Sequence, residues 1–202
     1  MSKDLKKFDS SKAFKVKHLS PEGIKVVEIA FPSEEDWIER ESRRRMIVDL
    51  QPPNKRRRED PDESESELVE RLCPELQDAE PYEAGRILDL LSFAATKETI
   101  VESNKITVIL EVLQATTTHV FRMPTSKEQI KFDQGYANSK AFDKTHIVTV
   151  TDLRIARKLY DDMKESVEGY VDGMIVPIIH QSEAVAAAFI ALKENLSQEV
   201  DP

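Results

Sequence analysis

Residues 25–40 read KVVEIAFPSEEDWIER and residues 117–132 read TTHVFRMPTSKEQIKF, two stretches with the same order of features. Each opens on a run rich in β-branched side chains, which suits a strand, and each strand stops at a proline, Pro32 or Pro124. Behind the proline stands a hydroxyl residue with an acid three positions on: Ser33 with Asp36, Thr125 with Glu128. The Ser33 hydroxyl can accept the free amide of Asp36 or its neighbour, and Thr125 with Glu128 makes a reciprocal box in which each side chain satisfies the other's free backbone amide, so a helix starts behind each proline. Glu34, Glu35 and Asp36 also suit the positive end of a helix dipole. Pro32 and Pro124, Ser33 and Thr125, Asp36 and Glu128, and Ile38 and Ile130 all stand 92 positions apart. We read the two stretches as divergent copies of one unit.

Outward from the first copy, alternation in Phe14, Val16 and His18, the turn Ser20-Pro21-Glu22-Gly23, and Ile24 through Phe31 predict a β-hairpin. The helix behind Ser33 runs to about Arg45, and Met46 to Val48 reads as a short strand. Residues 51–66, QPPNKRRREDPDESES, hold three prolines, a basic block and an acidic block, and read as a linker. Ser66 is placed to cap a helix carrying Leu68, Val69, Leu72 and Leu76. Pro81 opens another, with Ala84, Ile87, Leu88, Leu91 and Ala95 on one side.

Around the second copy, Thr99 to Val101, Ile106 to Leu113 and Thr118 to Met123 predict a meander with turns at Ser103-Asn104 and Ala115-Thr116. His146 to Val148 answers to Met46 to Val48, and Thr151-Asp152 opens a helix with Leu153, Ala156, Tyr160, Met163 and Val167 on one side. A last helix behind Pro177 shows Val185, Ala188, Phe189, Leu192 and Leu196. The expected fold is α+β: two divergent copies of a β-hairpin–helix–strand–helix unit arranged with pseudo-twofold symmetry, since either half alone has a marginal core. Its parts are a flexible N-terminus at 1–12, a first α+β repeat at 13–96 with a charged linker at 51–66, and a second α+β repeat at 97–202.

A net charge of −9 argues against a surface built to grip nucleic acid. The opening MSKDLKKFDSSKAF lacks the apolar segment of a secretory signal, and no run approaches the roughly 18 apolar residues that span a bilayer. A cytoplasmic protein without membrane contact is expected. Cys73 is the one cysteine and reads as a small buried apolar residue. The histidines, His18, His119, His146 and His180, show no metal-ligand spacing. The first three fall in expected strands, where burial or a sheet-face position is the simpler role. His180 stands at the start of the last helix, where a local hydrogen bond is the expected role and binding of an anion the alternative. There is no GxSxG elbow, P-loop or dinucleotide glycine pattern, so the reading names no catalytic residue, metal or cofactor and expects no enzyme.

Two basic clusters remain, Arg43-Arg44-Arg45 and Lys55-Arg56-Arg57-Arg58, of the type that contacts phosphates. The acids from Glu59 to Glu67 follow within a Debye length of about 10 Å and cancel much of that field, so nucleic acid is not an expected partner. The stretches EIAFPSEEDWIERESRRRMIV, HVFRMPTSKEQIKF and EGYVDGMIVPIIHQSEAV resemble a family of poorly characterised proteins encoded among the structural and tail genes of tailed bacteriophages and prophages. The similarity runs from about Lys25 to Leu196, carries over no catalytic residue, and departs at the basic–acidic linker, where a more neutral, glycine-containing segment is expected. It implies a tail chaperone or minor structural component in virion or tail assembly, found in the host cytoplasm or the virion. The implied partners are other phage structural or tail proteins and further copies of the chain. Hairpin edges, or helical faces bearing Trp37, Ile38 and Phe189, are the expected contact surfaces. The alternative is a regulator or host-defence inhibitor that binds nucleic acid or a protein through Arg43–Arg58.

Overall fold

Both capping boxes close in the structure, a computed structural model that describes residues 6–20, 22–50, 63–113, 115–140 and 153–198. Among these, the elements in chain order are β1 (Phe14–Ser20), β2 (Gly23–Ile29), α1 (Glu34–Leu50), α2 (Glu63–Leu72), a 3-10 turn (Pro74–Leu76) and α3 (Pro81–Leu91). There follow β3 (Ala94–Val101), β4 (Lys105–Val112), β5 (Ala115–Arg122), α4 (Ser126–Lys140), α5 (Leu153–Met163), β6 (Lys164–Glu168) and α6 (Ile178–Gln198). The fold is α+β. Ser33 N–H donates to Asp36 Oδ2 at 2.8 Å and Asp36 N–H to Ser33 Oγ at 3.3 Å, which starts α1. Thr125 N–H donates to Glu128 Oε2 at 2.7 Å and Glu128 N–H to Thr125 Oγ1 at 3.4 Å, which starts α4.

The chain divides into two compact units, Asp9–Phe93 and Ala94–Pro202 with Met1–Phe8. In the first, β1 and β2 form an antiparallel hairpin whose buried face holds Val16, His18, Ser20, Val27 and Ile29. The helices supply Trp37 and Arg40 from α1, Glu65, Leu68 and Val69 from α2, and Ala84, Ile87, Leu88 and Leu91 from α3. In the second unit an antiparallel sheet runs in the order β3-β4-β5-β6. Its buried face carries Ile106, Val108, Leu110 and Val112 from β4 and Thr117, His119 and Phe121 from β5. The period of two is what a sheet with one covered face requires. Helix α6 packs on β3, β4 and α5, and its Phe189 stacks on Phe132 of α4 with ring centroids 4.4 Å apart.

The two hairpins keep one register. Pairs run from Phe14 with Ile29 to Ser20 with Gly23 in β1–β2, and from Ile106 with Phe121 to Val112 with Ala115 in β4–β5. Each member of the second set lies 92 positions after its counterpart in the first, as do the first residues of α4 and α1.

Several elements depart from expectation. Met46 to Val48 lies inside α1, not in a strand: a three-residue apolar run carries no period of its own, and the helix before it continues. Glu63 opens α2, so Ser66 falls within the first turn and does not cap it. Leu76 leaves that helix for the 3-10 turn because Pro74 has no N–H to donate. Ala95 belongs to β3, and the next hairpin turns at Leu113, whose φ is 48°, not at Ala115-Thr116. Helix α5 ends at Met163, and Val167 lies in β6, where pairing with β5 outweighs the continued helical spacing. The strand expected at His146 to Val148 lies outside the described residues, as do residues 51–62 of the linker.

Candidate functional site

The residues marked for binding separate sharply by burial. Trp37 is 3% exposed and Phe189 1%, so both are core side chains and neither offers a docking surface; Ile38 is half-buried. Their helical spacing was the spacing of a core face. Of the exposed apolar side chains, three gather on the outer face of the hairpin, where Leu19 and Ile24 are cross-strand partners and Val26 stands beside them. Leu19 is 70% exposed and Ile24 71%. Lys17, opposite Val26, and the Lys15–Glu28 pair at 3.8 Å complete that face.

Arg43 is paired with Glu39 at 2.5 Å and Glu67 at 3.8 Å. Arg44 and Arg45 are in α1, and Lys55, Arg56, Arg57 and Arg58 lie outside the described residues. Beside Arg43 a cleft of about 260 Å³ runs between α1 and α2, with five carboxylates to three guanidiniums in its lining. That balance is the wrong sign for phosphate. Within it Arg71 pairs with Asp36 at 2.5 Å and buried Arg40 donates to Glu65 at 2.8 Å; Arg40 also donates to Asp89 of α3 at 2.7 Å. His18 sits on the buried face of β1 with Nδ1 3.7 Å from Glu83 and Nε2 3.9 Å from Asp78. The Arg86 guanidinium holds the Glu83 carboxyl below its usual range and donates to the Lys17 carbonyl at 2.7 Å.

The second unit gathers two histidines that stand 61 positions apart in sequence. His119 Nδ1 lies 2.9 Å from Tyr160 Oη, and its Nε2 lies 3.1 Å from Thr117 Oγ1 and 3.3 Å from Tyr170 Oη. Tyr170 Oη in turn lies 3.2 Å from His180 Nδ1. Burial takes both imidazoles down to about 3 and pushes both phenols up, so all four rings are neutral across the ordinary pH range. The Lys164 charge acts in the same sense on His119, and a proton on His119 would oppose one on His180. Phe8 closes over this network, its ring edge-on to His180 at 4.8 Å and to Tyr170 at 5.9 Å. The network is thus a sealed polar core.

No spacing in the sequence links these histidines. The usable signal was the period of two that puts Thr117, His119 and Phe121 on one face of β5. Among the described residues, no group of three or more His, Cys, Asp or Glu is placed to hold a metal, and no helix is long and apolar enough to cross a membrane. No family model matches the sequence, and neither the curated proteins nor the solved structures give a match.

Proposed function

We propose that this chain is a non-catalytic protein of tailed-phage type that acts in virion or tail assembly through protein–protein contacts. The observation that carries the contact reading is the outer hairpin face: Leu19, Ile24 and Val26, all more than half exposed. Covering apolar surface gains about 25 cal/mol per Å², and a clustered exposed patch marks an interaction site more often than scattered residues do. The assembly context comes from the resemblance of the strand–proline–helix stretches to proteins encoded among tail genes.

We also infer that the two hairpin–helix segments are divergent copies of one unit. The shared hairpin register and the paired capping boxes support this, because a turn residue and a cap are independent local features that chance must place twice at one spacing. The test of function is affinity capture from prophage-carrying cells, with Leu19→Asp/Val26→Asp as the comparison. The tagged chain retains a virion or tail protein and the variant loses it; retention of none by either rejects the assembly reading. Capture of nucleic acid that falls steeply between about 50 and 200 mM salt would favour the Arg43–Arg58 alternative.

A further inference from the structure

The N-terminal segment docks as a ligand does. Phe8 N–H donates to the Gly169 carbonyl at 2.8 Å, and the Phe8 carbonyl accepts from Val171 N–H at 3.0 Å, a single parallel bridge to Tyr170. The Phe8 side chain is 3% exposed, on His180 and Tyr170, while Lys7 Nζ reaches Asp172 Oδ1 at 2.8 Å. Backbone pairing, an aromatic anchor and a flanking cation are together the elements of extended-peptide recognition.

The receiving groups are also held by contacts that do not involve the arm. Gly169 has φ 90° and lies so close to the β5 backbone that a Cβ would stand 2.4 Å from Thr116 O, which fixes the direction of its carbonyl. Tyr170 is tied by its hydroxyl to His119, Thr117 and His180. All these groups belong to the unit Ala94–Pro202, whereas the chain from Asp9 onward belongs to the other. The tether between is polar: Asp9 accepts from Ser11 N–H at 3.1 Å, and Ser11 and Lys12 are exposed. Residues 1–8 carry Lys3, Lys6 and Lys7 against Asp4, in a chain of net charge −9.

We propose that Gly169–Asp172 and His180 form an acceptor site for the N-terminal arm of a second copy, and that copies associate by exchanging arms so that each Phe8 seats in the other's site. Exchange leaves every bond within the site unchanged, so only the tether and the concentration decide between the closed and the exchanged form. The inference rests on the arm's geometry and stands apart from the assembly reading.

Two single variants of the full chain test it, Lys7→Cys and Asp172→Cys, mixed, treated with a short thiol-specific crosslinker and run on a denaturing gel. The native Cys73 is buried and does not compete. A crosslinked dimer is expected from the mixture, rising with concentration and reduced at least tenfold when Phe8→Ala is added to the Lys7→Cys chain. The double variant Lys7→Cys/Asp172→Cys, at low concentration, gives an internal crosslink and verifies the contact. If that internal product forms but the mixture yields no dimer up to about millimolar concentration, the arm acts only on its own chain and the proposal fails. It fails equally if Phe8→Ala leaves the dimer yield unchanged.

Discussion

Arg40 is 8% exposed, yet its guanidinium holds Glu65 of α2 and Asp89 of α3. A cation there stabilises the unit only as long as its partners stay, since desolvation costs several kcal/mol per ion and is offset by close pairing. Arg40→Ala strands the buried Glu65 carboxylate, and we expect a loss of about 3 kcal/mol in urea unfolding. Arg40→Met/Glu65→Met, which removes both charges, loses far less. Gly85 reports on the same pair, because a Cβ there would stand 2.4 Å from Glu65 Oε2, on the carboxylate that Arg40 holds through Oε1. Gly85→Ala therefore lowers the urea midpoint in the native chain. In a Glu65→Ala background the obstruction is gone, and the same change raises stability by about 1 kcal/mol through helix propensity. A Gly85→Ala effect of the same sign in both backgrounds would refute the account.

At the scale of elements, the hydroxyl caps are the clearest test of the sequence reading. Ser33→Ala and Thr125→Ala each remove an acceptor from a helix start, and each should cost about 1 kcal/mol, with faster amide exchange at Asp36 or Glu128. Caps, hairpins and the helix behind Pro81 were legible because a proline, a hydroxyl or an alternation fixes the backbone within a few residues. What stayed illegible was set by distant partners. Nothing in Lys164–Glu168 outweighs a helix until β5 offers an edge, and the spacing of Met163 and Val167 imitates a helical face. Phe8 in a lysine-rich opening reads as frayed, although it is buried on two rings. Trp37 and Phe189 are core side chains, but in sequence an apolar stripe does not say whether its own chain or a partner covers it. The charged network around Arg40 joins residues up to 49 positions apart, a spacing that no local pattern carries.

Acid acts on this molecule first through its buried histidines. His119 and His180, both taken down to about 3 by burial, lie in the unit Ala94–Pro202. The unfolded chain binds their protons near pH 6.5 and the folded chain does not, so stability is whole above about 6.5 and declines as pH falls toward 3. The slope reaches about 1.4 kcal/mol per pH unit for each histidine. Glu128, held at about 2 chiefly by the Arg122 guanidinium, adds a loss of the same sign, but only below its unfolded value of about 4.5. Between pH 6.5 and 4.5 the histidines therefore act without it. Glu183 opposes them: burial raises its carboxyl, so folding is relieved as it takes up a proton, and Glu183→Gln removes that offset. In the Glu183→Gln chain, urea unfolding from pH 7.5 to 4.5 should show falling stability. Amide protection at Val171 and along β5 should be lost before that of the hairpin β1–β2, because Phe8 and Tyr170 rest on the rings that must charge. His119→Gln/His180→Gln flattens the slope if burial of neutral imidazole is its cause; an unchanged slope would place the acid sensitivity elsewhere.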